Sequence, residues 1–151
     1  MERTLVLIKP DAMVKQLAGN IISDLYNLNL KMIGLKLVNI QRELAEKHYD
    51  KLKSEKGEKI FEATIKHLTG NYHENENVIA IVYKGENAIQ KIRDFVGATN
   101  PEKANPSSIR GKYGRIISEK DLFETVVHAS DSKENAEREI NLWFNESELV
   151  E

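Results

Sequence analysis

A histidine and a glutamate near the carboxyl terminus form the arrangement in this sequence that is best suited to chemistry. His128 ends a short apolar run, and Glu139 lies on the helix that the following residues predict. Glu139 comes three residues after Ala136 and four before Trp143, which puts its carboxylate on the side of the helix that packs inward. A carboxylate that faces inward requires a partner. If it accepts the proton of either ring nitrogen of His128, the other nitrogen is presented as a nucleophile.

The same two residues also fit a structural interpretation. A lone histidine at the end of a strand is more often a satisfied structural residue than a nucleophile. Glu139 could also form a salt bridge on the helix surface with Arg138 or Lys133. From the residues alone, both interpretations stay open.

Lys9 is a second candidate, because it directly follows the apolar run of residues 5–8. Packing of such a strand fixes the stem of the lysine and aims its ammonium at one edge of the sheet, where it suits a phosphate oxygen. The alternative is a lysine that extends into solvent.

The stretch from about residue 97 to 124 has weak periodicity, turn-forming residues, hydroxyls and basic groups. We expect it to be a long loop, and loops of this length in compact domains are usually functional or disordered. Arg110 lies within it and Arg93 shortly before it. Because a guanidinium can give two charge-assisted hydrogen bonds to one phosphoryl group, the stretch resembles a phosphate clamp. A solvated surface loop is the alternative.

The periodicity predicts elements that bring these candidates together. Apolar runs predict strands at residues 5–8, 32–40, 78–83 and 125–128, with Ile33, Leu35 and Leu37 on one side of the second strand. Helical spacing follows Gly19, covers residues 43–69 with a break at Gly57, and recurs at 88–95 and after Ser132. The order is βαββαβ with additional helices. It predicts a mixed α/β (α+β) fold of the ferredoxin-like type, an antiparallel sheet covered by helices on one face, in a single domain over residues 1–151.

Composition excludes several classes of function. The 151 residues contain 22 Lys and Arg against 24 Asp and Glu, so no global basic charge favours nucleic acid. The absence of cysteine excludes disulfides, thiolate metal sites and a cysteine nucleophile. No apolar run approaches the roughly 20 residues that span a bilayer, and the first residues do not form a signal peptide. We expect a soluble, cytoplasmic protein without a membrane partner.

Two segments resemble the signature sequences of the nucleoside diphosphate kinase family. They are Thr4-Leu5-Val6-Leu7-Ile8-Lys9-Pro10-Asp11 and Val127-His128-Ala129-Ser130-Asp131-Ser132. The resemblance extends over nearly the whole chain. Further matching segments are His48-Tyr49, Gly97-Ala98-Thr99-Asn100-Pro101, Ser108-Ile109-Arg110-Gly111 and residues 136–144.

The resemblance implies a kinase that transfers the terminal phosphate of a nucleoside triphosphate such as ATP to a nucleoside diphosphate. The reaction would be ping-pong, through a phosphohistidine at His128, with Glu139 orienting the ring and Ser130 nearby. Magnesium would be held mainly by the nucleotide, with no protein metal ligand, and the assembly would be a homo-oligomer, a hexamer or tetramer. The positions implied to bind the sugar and the phosphates are Lys9, Tyr49, Arg93, Thr99 and Arg110.

This chain departs from the family pattern at two places. The family usually has two adjacent phenylalanines where this chain has Ile60-Phe61, so in the most natural register the residue at the stacking position is Ile60. Phe61 could take over this position only if the helix turns or shifts. The usual Arg-Asn pair before the histidine is replaced by Glu124-Thr125, which leaves Thr125 as a shorter polar contact to the sugar. In an alternative register, Gly114-Arg115 matches the family's Gly-Arg and Ile116 falls at the asparagine position.

Three segments are also longer than usual, around residues 54–59, 71–77 and 116–124. The third lies between Arg110 and His128, where it could reshape the mouth of the site or a surface for assembly. Our hypothesis is that triphosphate binding is weakened or less uniform, while phosphohistidine chemistry is retained.

Two alternatives come from other classes of protein. A scaffold that kept the fold without efficient catalysis is favoured by the changes at Ile60 and Thr125. A scaffold has no physical need, however, for the whole retained set of Lys9, Arg93, Arg110, His128 and Glu139. An RNA-binding βαββαβ module would need exposed aromatic residues on its central strands. Residues 5–8 and 78–82 contain none.

Overall fold

The computed structural model describes residues 1–120 and 122–150. Its strands are β1 Glu2–Ile8, β2 Lys31–Asn39, β3 Asn77–Gly85, β4 Arg115–Ile117, β5 Leu122–Glu124 and β6 Val127–Ala129. Four of them form one sheet in the order β2-β3-β1-β6, with every neighbouring pair antiparallel. This is the strand order of a ferredoxin-like βαββαβ fold, so the predicted class is confirmed.

Helices cover both faces of this sheet, and the expectation of helices on one face was wrong. The helices are α1 Pro10–Val14, α2 Ala18–Tyr26, α3 Arg42–His48, α4 Leu52–Lys56, α5 Glu58–Leu68, α6 Ala88–Val96, α7 Ile109–Tyr113 and α8 Lys133–Trp143. One core lies between the sheet and α2 and α6, and a second lies between the sheet and α3, α5 and α8. The second layer consists of the additional helices, which periodicity detects but cannot assign to a face.

The central strand β1 explains why two layers are needed. Val6 and Ile8 point into the first core, while Leu5 and Leu7 point into the second, and all four are fully buried. A strand that is apolar at every position must be covered on both sides. Burial of β1 on both faces, as the unbroken apolar run predicted, is confirmed.

The stretch from residue 97 to 124 is not a structureless loop. It contains a short 3-10 helix at Pro101–Lys103, the helix α7 and the antiparallel hairpin formed by β4 and β5. These elements are only three to five residues long. Elements this short span too little sequence for periodicity to identify them.

Strand β2 also differs from its prediction. The pairing of β2 with β3 shifts between Met32 and Gly34, so Ile33 packs into the second core while Leu35 and Leu37 are 51% and 62% exposed. A bulge adds one residue, which moves the following side chains to the opposite face. The prediction that the three residues share one side was therefore wrong.

The helix boundaries were predicted more closely than the last strand. Gly57 and Gly97 separate or end helices with φ values of +89° and +92°, which glycine adopts readily. The segment 43–69 nevertheless forms three helices, with a further break after α3, and the unpredicted α1 begins at Pro10. The predicted strand 125–128 is β6, residues 127–129. No helix in the described ranges is long and apolar enough to cross a membrane.

Candidate active site

His128 lies on the edge strand β6, opposite Leu7 of β1, and its ring meets the second helical layer. Its Nε2 atom is 3.0 Å from Glu139 Oε2 on α8. The same carboxylate oxygen accepts the Ser130 hydroxyl at 2.6 Å, and Ser130 Oγ in turn accepts the Leu5 amide at 3.2 Å. The structure thus brings three of the predicted site residues together, and Ser130 contacts Glu139 rather than the ring.

This contact determines which ring nitrogen is available. Burial opposes ionisation of Glu139, but the hydrogen bond and charge interaction with His128, together with His48 and the Ser130 hydroxyl, outweigh it and hold the pKa of Glu139 below its usual value. An ionised carboxylate can only accept, so His128 carries its proton on Nε2. Nδ1 has no protein hydrogen-bond partner among residues 1–120 and 122–150, and the side chain is 17% exposed. Nδ1 is therefore the nitrogen that can act as a nucleophile.

His48 belongs to this cluster and was not among the predicted site residues. Its ring centroid is 4.4 Å from that of His128, in an edge-to-face arrangement. Its Nδ1 accepts the indole N–H of Trp143 at 3.0 Å, and burial followed by the nearby His128 lowers the pKa of His48 well below its usual value. His48 is thus a neutral ring that supports one side of His128. Its place beside Tyr49 in a matching segment was the only signal for it.

One possible metal-ligand atom from each of His48, His128 and Glu139, a ring nitrogen or a carboxylate oxygen, lies within 4.8 Å of the other two, a spacing that could hold a metal ion. The donor types do not suit magnesium, which prefers oxygen ligands. Trp143 also occupies Nδ1 of His48, which leaves the proton of that ring on Nε2. The geometry therefore fits a supported nucleophile better than a magnesium centre.

Lys9 approaches the site from the end of β1. Its ammonium donates to Thr125 Oγ1 at 2.8 Å, and both residues are 6% exposed. Burial lowers the pKa of Lys9 to about 8; nearby Asp11 opposes this shift and Arg110 adds to it. Lys9 does not extend into solvent. Its charge is retained at neutral pH, and within residues 1–120 and 122–150 no carboxylate is hydrogen-bonded to it, which suits an anionic ligand.

The backbone before His128 is held in an unusual conformation. Val126 has a φ of +57°, which costs a β-branched residue of the order of 1–3 kcal/mol. Asp11 Oδ2 accepts the Val126 amide at 2.9 Å, and the Val126 carbonyl accepts the Lys9 amide at 2.9 Å. These bonds fix the turn that directs Thr125 towards Lys9. The turn also explains why the last strand begins two residues later than predicted.

Arg110 links the segment after α6 to the strand of His128. Its guanidinium donates to the Gly97 carbonyl and the Val127 carbonyl, both at 3.0 Å. Ser108 caps α7 by accepting the Gly111 amide, which holds the short helix that carries Arg110. Burial lowers the pKa of Arg110 to about 10, so it remains charged at neutral pH.

The remaining predicted residues lie around this core. The Tyr49 ring centroid is 6.1 Å from that of His128, and burial raises the pKa of its hydroxyl. Arg93 is exposed on α6, close enough to Arg110 to lower its pKa. Thr99 is exposed two residues after Gly97 and has no hydrogen bond in the described part of the chain. The structure therefore places Tyr49 beside His128 and Arg93 near Arg110, while Thr99 is exposed at the edge of the site.

Glu124 shows how the departure from the family pattern is accommodated. Its fully buried carboxylate accepts Lys15 at 2.7 Å and Arg115 at 2.6 Å, and His73 Nε2 lies 3.5 Å away. Burial opposes its ionisation, but the bonds with Arg115 and Lys15 keep the pKa of Glu124 low. In the alternative register, Arg115 takes the place of the family's arginine. In the structure, the Arg115 guanidinium is bonded to the Glu124 carboxylate.

The chain is similar to known proteins over nearly its whole length. The family model described as nucleoside diphosphate kinase matches residues 2–149. A nucleoside diphosphate kinase of Pyrococcus furiosus is 47% identical over 151 residues, which is all of this chain and 88% of the relative. One of Staphylococcus aureus is 42% identical over 99% of this chain and 92% of the relative.

Two solved structures extend the similarity to three dimensions. The nucleoside-diphosphate kinase of Borrelia burgdorferi with bound vanadate and ADP, a transition state mimic, superposes with a TM-score of 0.91 at 30% identity, covering 99% of this chain and 90% of that one. The enzyme of Halobacterium salinarum in complex with CDP gives 0.86 at 36% identity, covering 99% and 91%. Sequence and fold agree, and the chain belongs to the nucleoside diphosphate kinase family.

Proposed function

We propose that this chain is a single-domain nucleoside diphosphate kinase that transfers the terminal phosphate of ATP to a nucleoside diphosphate through His128. The observation that carries the proposal is the orientation of the ring. Glu139 holds Nε2 at 3.0 Å, and Nδ1 is left without a protein partner within the described ranges. A scaffold would not need an oriented nucleophile beside buried cations.

The reaction has two half-steps that reverse each other. The lone pair of Nδ1 forms a bond to the terminal phosphorus, and the bond from that phosphorus to the bridging oxygen breaks, so the nucleoside diphosphate leaves with the electron pair. A terminal oxygen of a second nucleoside diphosphate then attacks the phosphohistidine, and Nδ1 leaves. As the ring gains positive charge, Glu139 stabilises it through the Nε2 proton.

The cations around His128 have distinct roles in this proposal. Lys9 and Arg110 neutralise charge on the transferring phosphoryl group, and Arg93 acts from the exposed side. Tyr49, Thr99 and Thr125 hold the sugar and phosphates, with Thr125 placed by its 2.8 Å contact to Lys9. Related enzymes with bound ADP and with bound CDP support a nucleotide at this site.

Magnesium would be carried by the nucleotide and would reduce the charge on its phosphates. The carboxylates beside the site are already engaged: Glu139 holds His128 and Ser130, and Asp11 accepts the Val126 amide. This arrangement fits a metal held by substrate oxygens. We also propose a cytoplasmic location, in keeping with nucleotide substrates.

A homo-oligomer, a hexamer or a tetramer, completes the proposal. Leu35 and Leu37 are exposed next to each other on the outer face of the edge strand β2. Exposed apolar side chains on an unpaired sheet edge favour burial against another chain. Sedimentation of the purified protein would give the number of subunits.

The test is to incubate the protein with magnesium and γ-labelled ATP and to look for acid-labile label on the chain. We expect label that moves to GDP when GDP is added, and none on a His128→Ala variant. A His73→Gln variant controls for labelling at other histidines and should take up label normally. Absence of label on the unmodified protein at every ATP concentration would contradict the proposal and favour the scaffold.

A further inference from the structure

A buried histidine contacts the carboxylate of Asp11, two residues after Lys9. His67 lies in the last turn of α5 and is 2% exposed, and its Nε2 atom is 3.3 Å from Asp11 Oδ1. Both residues are buried within the fold, yet the proposed reaction steps use neither of them. Buried polar groups are costly, so this pair calls for a reason.

The orientation of α5 brings His67 to this place. Phe61 is buried in the second core and Ile60 is 50% exposed, so the helix has not turned to bring Phe61 to the base. Ile60 precedes His67 by seven residues, about two helical turns, and so lies on the same side of α5. This side is exposed at Ile60 and buried at His67, where the segment that carries Asp11 covers it.

The charges of the two groups determine where the protons lie. Burial opposes ionisation of Asp11, but the contact with His67, the charge of Lys9 and the Val126 amide together outweigh it, and the pKa of this carboxyl lies well below its usual value. Burial, to which Lys9 adds, lowers the pKa of His67 to about 4, while Asp11 opposes this shift. At neutral pH Asp11 is therefore ionised and His67 is neutral. Because an ionised carboxylate only accepts, His67 carries its proton on Nε2 and directs it at Oδ1.

Both oxygens of Asp11 are thus taken by groups other than Lys9. Oδ2 accepts the Val126 amide at 2.9 Å. Apart from the contact with His67, Oδ1 has no hydrogen-bond partner within residues 1–120 and 122–150. The Lys9 ammonium donates to the neutral Thr125 hydroxyl at 2.8 Å instead. Asp11 is close enough to raise the pKa of Lys9, but it does not pair with the ammonium.

We propose that His67 is a positioning residue for phosphoryl transfer, because its Nε2 proton occupies Asp11 Oδ1 and keeps this carboxylate from pairing with the Lys9 ammonium. Without His67, a buried and charged oxygen would lack a donor, and Lys9 is the cation that Asp11 already attracts. A Lys9 ammonium that turns to Asp11 is withdrawn from the substrate phosphate. The inference rests on the proposed function, which gives Lys9 its role at the phosphate.

The other charged groups that face Lys9 are held independently of His67. Arg110 lowers the pKa of Lys9, and Glu124 raises it. Glu124 is itself bonded to Lys15 and Arg115, at 2.7 and 2.6 Å. Replacement of His67 therefore leaves these influences on Lys9 in place, and a change in the titration of Lys9 reports on Asp11.

The experiment follows the titration of Lys9 in the unliganded protein, by NMR of chains labelled with 13C-lysine. The Lys9→Gln variant identifies the signal. We expect a midpoint at about pH 8 in the unmodified protein. In His67→Phe the midpoint should rise by about one to two units, because a directly paired carboxylate favours the charged amine. In His67→Gln, whose side-chain amide can still donate to Asp11, it should stay close to that of the unmodified protein.

The rate of phosphoryl transfer gives a second measurement. At neutral pH, His67→Phe should lower kcat/KM for ATP roughly ten- to hundredfold, the loss expected for a hydrogen bond to a charged group. The fall of kcat/KM at alkaline pH should move upwards together with the Lys9 midpoint, and His67→Gln should restore both. A purely structural role of His67 would lower stability or rate without moving this pH dependence.

His73 provides the matched control. Its ring centroid is 5.3 Å from that of His67, but its Nε2 atom faces Glu124, at 3.5 Å, rather than Asp11. His73→Phe should leave the Lys9 midpoint and the rate unchanged, and circular dichroism checks that each variant folds. An unchanged or lowered midpoint in His67→Phe, or a midpoint that His73→Phe raises equally, would overturn the inference.

A measurement on the unmodified protein covers the case in which His67→Phe does not fold. The 15N chemical shifts of the His67 ring show which nitrogen carries the proton. A proton on Nε2 supports the inference, and a proton on Nδ1 alone would overturn it, because Asp11 would then have no donor from this ring.

The two proposals fail separately. The titration of Lys9 needs no nucleotide, so absence of phosphohistidine would overturn the proposed kinase activity while the midpoints still test the contact between His67 and Asp11. A raised midpoint in His67→Phe with an unchanged rate would leave the kinase standing and remove the role of His67 in the reaction.

Discussion

Replacement of Glu139 by glutamine tests whether its charge, rather than its shape, supports the chemistry. The Ser130 hydroxyl is 2.6 Å from Glu139 Oε2 but 3.4 Å from the Leu5 carbonyl, so its proton goes to Glu139, and the His128 Nε2 proton is directed at the same oxygen. A glutamine must therefore turn its oxygen towards both donors. The substitution keeps the tautomer of His128 and removes only the negative charge.

The expected magnitude follows from the strengthening of one hydrogen bond. A bond to a charged group contributes about 1.5–3 kcal/mol, against about 0.5–1.5 kcal/mol for a neutral one. Only the increase in this hydrogen-bond energy between the neutral ring and the positively charged ring of the transition state affects the rate. Glu139 is 5% exposed, so water screens little of it. We expect a loss of about 1–2 kcal/mol, which corresponds to a rate roughly five- to thirtyfold lower.

The assay is a single-turnover quench experiment in which labelled ATP at saturating concentration phosphorylates the chain. The control is Glu137→Gln on the same helix, which removes a partly exposed ion pair with Arg3 and should leave the rate unchanged. A Glu139→Gln rate within twofold of the unmodified enzyme would refute the role of the charge. A change confined to the ATP concentration needed for half-saturation would refute it equally.

Three further changes test other parts of the site. Because burial lowers the pKa of Lys9 from 10.5 to about 8, kcat/KM of the unmodified enzyme should fall above pH 8. The Lys9→Gln variant should be slower at every pH but should not show this fall. A decline above pH 8 in both proteins would exclude Lys9 as its cause. Over the same range, pH 8 to 10.5, the unfolded chain binds more protons than the folded one, so the free energy of unfolding of the unliganded protein should rise, as urea titrations can measure. Glu124→Gln should lower the free energy of unfolding by about 1–3 kcal/mol, because it removes the buried charge that Lys15 and Arg115 bond and turns an amide group towards those cations. Glu119→Gln, in an exposed 3-10 helix, should leave it within about 0.5 kcal/mol. Trp143→Phe should cost about 1–3 kcal/mol by removing the donor to His48, and an unchanged urea midpoint would argue against that bond.

Sequence reasoning succeeded where a residue lies on a long, regular element. The four strands of the sheet follow from apolar runs, and the inward position of Glu139 follows from the spacing of α8. It failed where one residue changes the geometry. The bulge at Ile33 reversed the faces of the following leucines, and the positive φ of Val126 delayed the last strand. Neither position is a glycine, so the sequence carried no signal for these conformations.

The side of the sheet on which each helix packs was the larger uncertainty, and it matters most for function. His48, Tyr49 and Glu139 all come from the second layer, which the ferredoxin-like pattern alone does not contain. Contacts between side chains of different helices in this layer join distant residues; the hydrogen bond from Trp143 to His48, for example, joins residues 95 positions apart. Periodicity describes one element at a time, and so it cannot predict which side chains meet across a layer.

Glu124, which stands where the family has an arginine, connects the site to the lengthened segments around residues 71–77 and 116–124. A buried carboxylate requires cations or donors, and here Lys15 and Arg115 supply them while His73 lies beside it. Arg115 begins the hairpin that leads to Lys120, and His73 adjoins Tyr72. This carboxylate therefore bonds Arg115, at the start of the hairpin, and lies 3.5 Å from His73 of the other lengthened segment. An arginine at this position would repel those cations, so the departure at Glu124 and the added segments depend on each other.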